Sequence, residues 1–193
     1  MKSIAVYCGS ASPINPIYFD AARDVGRALA TRGITVVYGG GRLGLMGAVA
    51  DAALSAGGEV IGIIPEALVN AEVAHRGCTQ LHVVPGMHER KRLFTDLSDG
   101  FITLPGGVGT MDELWEAISW AQLGYHQSPV GVLNVGGFYD HLVAFNQHMC
   151  DVGFIRDAHH GIMVVRDTLE ALLDAMAAYV PHKTIFAMKA DDL

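Results

Sequence analysis

Short apolar runs alternate along the chain with longer segments in which apolar residues recur every three or four positions. The short runs are rich in Val, Ile and Leu, which is typical of strands buried on both faces of a parallel sheet. The longer segments are typical of helices that cover such a sheet. We predict strands at residues 3–8, 34–38, 59–64, 81–84, 100–104, 130–133 and 161–165. The pattern therefore predicts an α/β protein with a doubly wound parallel sheet of about seven strands and helices on both faces.

The same alternation continues without a linker or an internal repeat as far as Pro181, which ends the last predicted helix. A chain of 193 residues lies in the length range of a single domain. We therefore predict one domain over residues 1–181 and a C-terminal tail over residues 182–193.

Composition and charge exclude several classes of protein. The sequence is 51% hydrophobic and 17% charged, so it has enough apolar material for one large core and is neither disordered nor fibrous. Its net charge of −7 has the wrong sign for a nucleic-acid surface, and no nucleic-acid partner is expected. No apolar run approaches the ~18 residues of a membrane span, and the N-terminus lacks a signal peptide. We therefore expect a cytoplasmic protein without a membrane partner.

The cysteines are three in number and show no metal-binding or disulfide pattern. Cys8, Cys78 and Cys150 are far apart in the chain and lack both CxxC and Cys/His spacing. We interpret them as small buried hydrophobic residues. No metal site and no cofactor are predicted.

Loops rich in small residues follow the first, second and fifth predicted strands. Their sequences are CGSAS at residues 8–12, GGGRLGLMG at 39–47 and PGGVGT at 105–110. Ligands of open parallel sheets bind at the carboxyl ends of the strands, where these loops lie. Glycines let a backbone approach a ligand closely, and a following helix N-terminus attracts a phosphate. We therefore predict a phosphate site there, with Ser10 and Gly41 as candidate contacts in the first two loops.

The second loop also matches the GxGxxG pattern of dinucleotide-binding proteins, with Gly39, Gly41 and Gly44 at the glycine positions. Glu66 follows about 20 residues later, where a ribose ligand is expected. However, this motif normally follows the first strand, and the third glycine loop would then have no role. A dinucleotide enzyme is therefore the weaker alternative.

Charged residues stand next to two of the predicted loops. Glu113 is only three residues beyond Thr110, so a phosphate bound by the third loop leaves its sugar within reach of this carboxylate. Asp112 and Glu116 are interpreted as acids that complement the dipole at the start of a helix.

A basic cluster, HERKR at residues 88–92, opens the helix after the fourth strand. Basic groups at a helix N-terminus oppose its dipole, which suggests that they serve an anionic ligand. We select Arg90 and Lys91 as candidates, whereas Arg92 fits a solvated face equally well.

The combination of these motifs resembles the LONELY GUY family of cytokinin riboside 5′-monophosphate phosphoribohydrolases, formerly labelled lysine decarboxylases. The resemblance runs from about residue 3 to residue 180. It rests on VYGGG at 37–41 with GLMG at 44–47, on MHERK at 87–91, and on PGGVGT at 105–110 with Glu113.

The resemblance implies a Rossmann-like, nucleotide-binding homodimer that hydrolyses the N-glycosidic bond of an adenine-type nucleoside 5′-monophosphate. Free base and ribose 5-phosphate would be the products. Arg90 and Glu113 would be the catalytic pair, and Glu72, Lys91 and Ser119 would contact the substrate. The phosphate would be held by the loop that consists of Gly107, Val108, Gly109 and Thr110.

The reaction that the resemblance implies indicates what Glu113 and Arg90 would each do. A ribosyl transition state resembles an oxocarbenium ion, which a carboxylate such as Glu113 stabilises while it orients a water molecule. Arg90 stays charged and is therefore expected to position groups rather than to act as a base. The sequence shows no obvious acid for the leaving base and leaves open AMP or a cytokinin nucleotide as substrate. A non-catalytic carrier of a nucleotide or phosphorylated cofactor on the same fold is the alternative.

Overall fold

The predicted apolar runs form a single parallel sheet in the computed structural model, which describes residues 1–70 and 73–185. The described strands lie in the order β4-β3-β2-β1-β5-β6-β7, and every neighbouring pair is parallel. They are β1 (Ser3–Tyr7), β2 (Thr35–Tyr38), β3 (Val60–Pro65), β4 (Gln80–Val84), β5 (Phe101–Thr103), β6 (Val130–Leu133) and β7 (Met163–Arg166). All predicted strands are confirmed, with small differences at their ends.

Helices connect these strands in the order expected from the alternating pattern. They are α1 (Ile17–Thr31), α2 (Gly44–Ser55), α3 (Met87–Asp96), α4 (Val108–Leu123), α5 (Asp140–Asp151), α6 (Asp157–His160) and α7 (Leu169–Ala177). The α/β class is therefore confirmed.

The core has two layers because successive side chains of a strand point to opposite faces of the sheet. Ile4 and Val6 of β1 join the apolar cluster that contains residues of α1, α2 and α7. Ala5 and Tyr7 of the same strand join a second cluster with residues of α3 and α4. Helices thus cover both faces, as the doubly wound prediction requires.

The strand order creates a crevice beside β1. The chain runs outward from β1 through β2, β3 and β4 and then returns to place β5 on the other side of β1. The loops that follow β1 and β5 meet there, where the amide of Gly9 donates a hydrogen bond of 3.1 Å to the carbonyl of Pro105. Ligands of such sheets bind at the point where the strand order reverses.

The first residues of the predicted tail contact the rest of the described chain. The amide of Ile185 donates to the carbonyl of Gln122 in α4 at 3.0 Å, and His159 Nε2 donates to the carbonyl of Lys183 at 2.8 Å. Residues 186–193, the remainder of that prediction, lie outside the described residues. Within the described ranges, no helix combines the length and apolar character that a membrane crossing needs.

Candidate active site

A cleft of about 240 Å³ opens at the carboxyl ends of β1, β2 and β5. It lies where the strand order reverses, which is the place where the three small-residue loops were predicted to bind phosphate. Its lining consists of Val6, Cys8, Gly9, Ser10, Ala11, Gly39, Met46, Met87, Arg90, Gly107, Val108, Gly109, Thr110, Asp112 and Glu113. Residues from all three small-residue loops and from α3 therefore meet in one place.

One wall of the cleft is the N-terminus of α4. The helix begins at Val108, and Gly107 precedes it as an extended N-cap residue. A Cβ atom built on Gly107 or on Gly109 would meet no other atom within 4 Å, so both glycines face open space. The unpaired amides and the positive dipole end of this helix are therefore accessible to an anion.

Glu113 lies in the first turns of α4 and lines the same cleft. Burial raises the pKa of the Tyr7 hydroxyl well above its ordinary value, and the neighbouring Glu113 carboxylate raises it further. The same two causes, again with burial the larger, raise the pKa of the Cys8 thiol. The Glu113 carboxylate therefore lies close to the end of β1, and Cys8 remains a thiol.

Arg90 reaches the cleft from α3 and is only 5% exposed. Its Nη2 atom donates a hydrogen bond of 3.1 Å to the carbonyl of Gly39, and its guanidinium lies 5.7 Å from the centroid of the Phe94 ring. A Cβ atom on Gly39 would clash with this guanidinium. Glycine at position 39 is therefore what allows Arg90 to enter the cleft.

The glycine loop after β2 is filled by other parts of the protein. Gly44 has a φ of +56°, and a Cβ atom there would clash with the backbone of Ser10 and Ala11. The amide of His75 donates to the carbonyl of Gly40 at 2.8 Å, which holds the loop from the opposite side. Of the three glycines in the GxGxxG motif, Gly39 lines the cleft but Gly41 and Gly44 pack against other segments, which disfavours the dinucleotide alternative.

Comparison with known proteins agrees with these motifs. The profile of a family described as "Possible lysine decarboxylase" matches residues 46–176. The cytokinin riboside 5′-monophosphate phosphoribohydrolase LOG5 of Arabidopsis thaliana is 45% identical over 180 residues, which are 93% of this chain and 79% of that protein. The LOG enzyme of Oryza sativa subsp. japonica is 46% identical over 181 residues, 94% of this chain and 75% of that protein. The chain belongs to the LOG family.

The fold recurs in a solved structure outside these relatives. The molybdenum cofactor carrier protein of Chlamydomonas reinhardtii superimposes with a TM-score of 0.66 at 20% identity. The match covers 92% of this chain and 98% of that protein. At this identity the similarity concerns the fold alone.

The surroundings of Lys91 in this LOG-family chain argue against decarboxylase chemistry. Its Nζ atom lies 2.9 Å from Asp112 Oδ2 and 2.8 Å from Glu116 Oε2. Partial burial acts to lower the pKa of Lys91, but the hydrogen bonds with Glu116 and Asp112 outweigh it and raise the pKa above its ordinary value. A Schiff base requires a neutral amine, so this lysine is poorly suited to form one.

Of the other lysines among the described residues, neither Lys2 nor Lys183 lines the cleft. Lys2 precedes β1, and the carbonyl of Lys183 is bound by His159 at the far end of the chain. Lys189 lies outside the described residues.

Some of the predicted site residues line the cleft, and others lie elsewhere. Ser10, Arg90, Glu113 and the loop from Gly107 to Thr110 line one cleft. Lys91 instead lines a neighbouring groove of about 370 Å³ between α3 and α4, whereas Ser119 is an exposed residue further along α4. Gly41 is buried and pairs with Ala74 in an isolated antiparallel bridge. Glu72 lies outside the described residues.

Sequence reasoning missed the contacts of Asp112 and Glu116. It gave them only a dipole role, but the structure shows that both bind Lys91. Their spacing of four residues, which places two acids on one face of a helix, was the available signal.

Proposed function

We propose that the protein hydrolyses the N-glycosidic bond of cytokinin riboside 5′-monophosphates, with AMP as a related substrate. The products are the free base and ribose 5-phosphate. The relatives that share 45% and 46% identity over most of the chain are named for this activity. The structural observation that carries the proposal is that Arg90 and Glu113 line one cleft with an open helix N-terminus.

The phosphate binds at the start of α4 in this proposal. Gly107 and Gly109 leave space beside the first helical amides, and Thr110, only 4% exposed, adds a hydroxyl at the cleft wall. Backbone amides and a helix dipole bind a dianion without the need for a cluster of basic side chains. This agrees with a net charge of −7 for the whole chain.

Glu113 acts on the sugar in this proposal. It follows Thr110 on the same helix, so the ribose of a bound nucleotide extends from the helix N-terminus towards the carboxylate. An ionised carboxylate stabilises the positive charge that develops on the ribose ring and orients the attacking water. Arg90, fixed by the Gly39 carbonyl, holds the reacting groups in place and does not accept a proton.

The size of the cleft indicates which part of the substrate it encloses. Its volume of about 240 Å³ is below the ~300 Å³ at which pockets for complete ligands begin. The cleft therefore suits the ribose phosphate, and the base extends past its rim. Part of that rim is apolar, since Met87 and Val108 both line the cleft and are 40% and 88% exposed. An apolar rim favours a base with an isoprenoid substituent over plain adenine.

We further propose that the protein is a homodimer in which a second copy covers this apolar rim. Exposed apolar side chains at the mouth of a site are typical of surfaces that are buried by a partner. Sedimentation equilibrium on the purified protein tests this proposal. We expect a dimer at the concentrations used for assay, and a fully active monomer would contradict it.

The experiment that tests the activity is a direct measurement of products. The protein is incubated with isopentenyladenosine 5′-monophosphate or AMP, and chromatography quantifies the base and ribose 5-phosphate. We expect equal amounts of both products, with faster release from the isopentenyl nucleotide. Binding of the nucleotide without base release would instead support the carrier function that the fold also allows.

A further inference from the structure

The two walls of the cleft rest on different strands of the sheet. Helix α3, which carries Arg90, packs against β3 and β4. Helix α4, which carries Glu113, packs against β1, β5 and β6. The distance between Arg90 and Glu113 therefore depends on how α3 and α4 are held relative to each other.

Lys91 links the two helices directly behind the cleft. It follows Arg90 in α3, and because successive helical residues point about 100° apart, it faces the neighbouring groove while Arg90 faces the cleft. Its Nζ atom binds Asp112 Oδ2 at 2.9 Å and Glu116 Oε2 at 2.8 Å, both on α4. Asp112 is the residue next to Glu113, just as Lys91 is next to Arg90.

Burial makes this link more than a surface ion pair. The side chain of Lys91 is 14% exposed and that of Glu116 is 27% exposed, whereas Asp112 is 53% exposed. Ion pairs that are partly removed from water are screened less by salt and hold a more defined geometry than exposed ones. Phe94 of α3 and Leu114 of α4 also belong to the same buried apolar cluster.

We propose that Lys91 is a positioning residue, which ties α3 to α4 through Asp112 and Glu116 and so sets the separation of Arg90 and Glu113. This inference rests on the proposed hydrolase function. It differs from the role of substrate contact that the family resemblance implies for Lys91. A displacement of about 1 Å in a catalytic group can cost up to about 100-fold in rate, so such a link affects turnover without touching the substrate.

The same link has an electrostatic consequence for Glu113. Arg90 lines the same cleft from α3, Tyr7 and Cys8 lie near this carboxylate at the end of β1 and just beyond it, and Asp112 and Glu116 share its helix. Lys91 neutralises part of the charge of the two neighbouring acids. Without it, two uncompensated carboxylates would disfavour ionisation of Glu113. The acidic limb of the activity profile would then move to higher pH.

Kinetics of three variants test the inference, with isopentenyladenosine 5′-monophosphate as substrate. Lys91→Met removes the link, Lys91→Arg keeps the charge, and the double variant Asp112→Asn/Glu116→Gln removes both partners but keeps the lysine. Arg92→Met is the matched control, because Arg92 lies in the same helix and pairs with Asp96 of that helix at 3.2 Å. Binding of ribose 5-phosphate by calorimetry and thermal unfolding are measured alongside.

For Lys91→Met we expect kcat to fall about 10-fold or more, while the Kd for ribose 5-phosphate changes less than about 3-fold. The acidic limb of its kcat profile should shift to higher pH. Lys91→Arg should recover most of the rate, and the double variant should lose kcat like Lys91→Met. Arg92→Met should behave as the wild type.

Two outcomes would overturn the inference. One is normal kcat in a folded Lys91→Met variant, because removal of the link would then not affect turnover. The other is normal kcat in the double variant with any result for Lys91→Met, which also decides the matter if Lys91→Met fails to fold. Absence of base release by the wild type would contradict the proposed function itself and not the link between the helices.

Discussion

The glycine loops after β2 and β5 have similar compositions but opposite relations to the rest of the protein. In the loop after β2, a Cβ atom on Gly39 would clash with Arg90, and one on Gly44 would clash with the backbone of the loop after β1. In the loop after β5, Gly106 packs against Thr110, but Gly107 and Gly109 face open space. Gly39 and Gly44 therefore accommodate protein atoms, whereas Gly107 and Gly109 leave room for a ligand. A glycine motif therefore indicates a ligand site only where no protein atom fills the space beside it.

The largest effect expected from this comparison is a requirement for the substrate phosphate. If the open loop after β5 binds the phosphate, its binding energy holds the ribose against Glu113. Charge-assisted hydrogen bonds contribute about 1.5–3 kcal/mol each, so the loss of two should lower kcat/KM by about 10² to 10⁴. Hydrolysis of AMP and of adenosine is compared by base release. Equal kcat/KM values for the two would show that the open loop does not bind phosphate.

The filled loop is tested by Gly39→Ala. The new methyl group would displace the guanidinium of Arg90 and press on Met46 Sδ, which lies 2.9 Å from the Cβ position. We expect kcat/KM to fall by about 10² and the free energy of unfolding by only about 1 kcal/mol, since both neighbours are ends of flexible side chains. Base release and urea denaturation measure the two effects. Normal activity would mean that the position of Arg90 at Gly39 has no catalytic importance.

The open loop is tested by Gly107→Ala, which adds the same methyl group where it meets no protein atom. Its backbone is extended, so alanine fits, and the free energy of unfolding should stay within about 1 kcal/mol of the wild type. The methyl group occupies space beside the phosphate, and we expect KM for AMP to rise about 10-fold. A loss of stability without a change in KM would reverse the roles assigned to the two loops.

The smallest effect concerns pH and the opposite end of α4. Burial, opposed by a hydrogen bond to the carbonyl of Ala117, lowers the pKa of His126 to about 4. The unfolded chain, with an ordinary pKa of about 6.5, therefore binds a proton before the native state does. The stability that comes from keeping His126 neutral is fully present above about pH 6.5 and is lost as the pH falls towards 4.

At pH 5 this histidine should cost about 1–2 kcal/mol of unfolding free energy relative to pH 7. Urea denaturation at the two pH values should show a smaller loss for His126→Gln than for the wild type. Because His126 lies beyond the C-terminal end of α4, its kcat for base release at pH 7 should not change. An equal loss in both proteins would remove His126 as the cause.

Local patterns were enough to predict the strands and the position of the glycine loop after β5. Apolar runs specify buried parallel strands regardless of their partners, and Pro105 to Gly107 stand between β5 and the start of α4, as their composition indicates. The family resemblance, carried by quoted motifs, is confirmed by the matching profile and by the relatives.

Contacts between distant segments were not predictable in the same way. Lys91 and Glu116 are brought together only because β5 returns to the side of β1, which no local pattern specifies. For the same reason the sequence did not reveal that Gly39 packs against Arg90. It also suggested only a helix-dipole role for Glu116, whose carboxylate contacts Lys91 in the structure.

The central claim is that Glu113, at the edge of the open loop, performs the chemistry. It is tested most directly by base release from isopentenyladenosine 5′-monophosphate in Glu113→Gln, with Glu170→Gln as control. Glu170 is an exposed acid in the first turn of α7, so both variants lose an acid near a helix start. We predict that kcat falls by about 10² or more in Glu113→Gln, with ribose 5-phosphate binding retained, and that Glu170→Gln is unchanged. Near-normal base release by a folded Glu113→Gln protein would contradict the account.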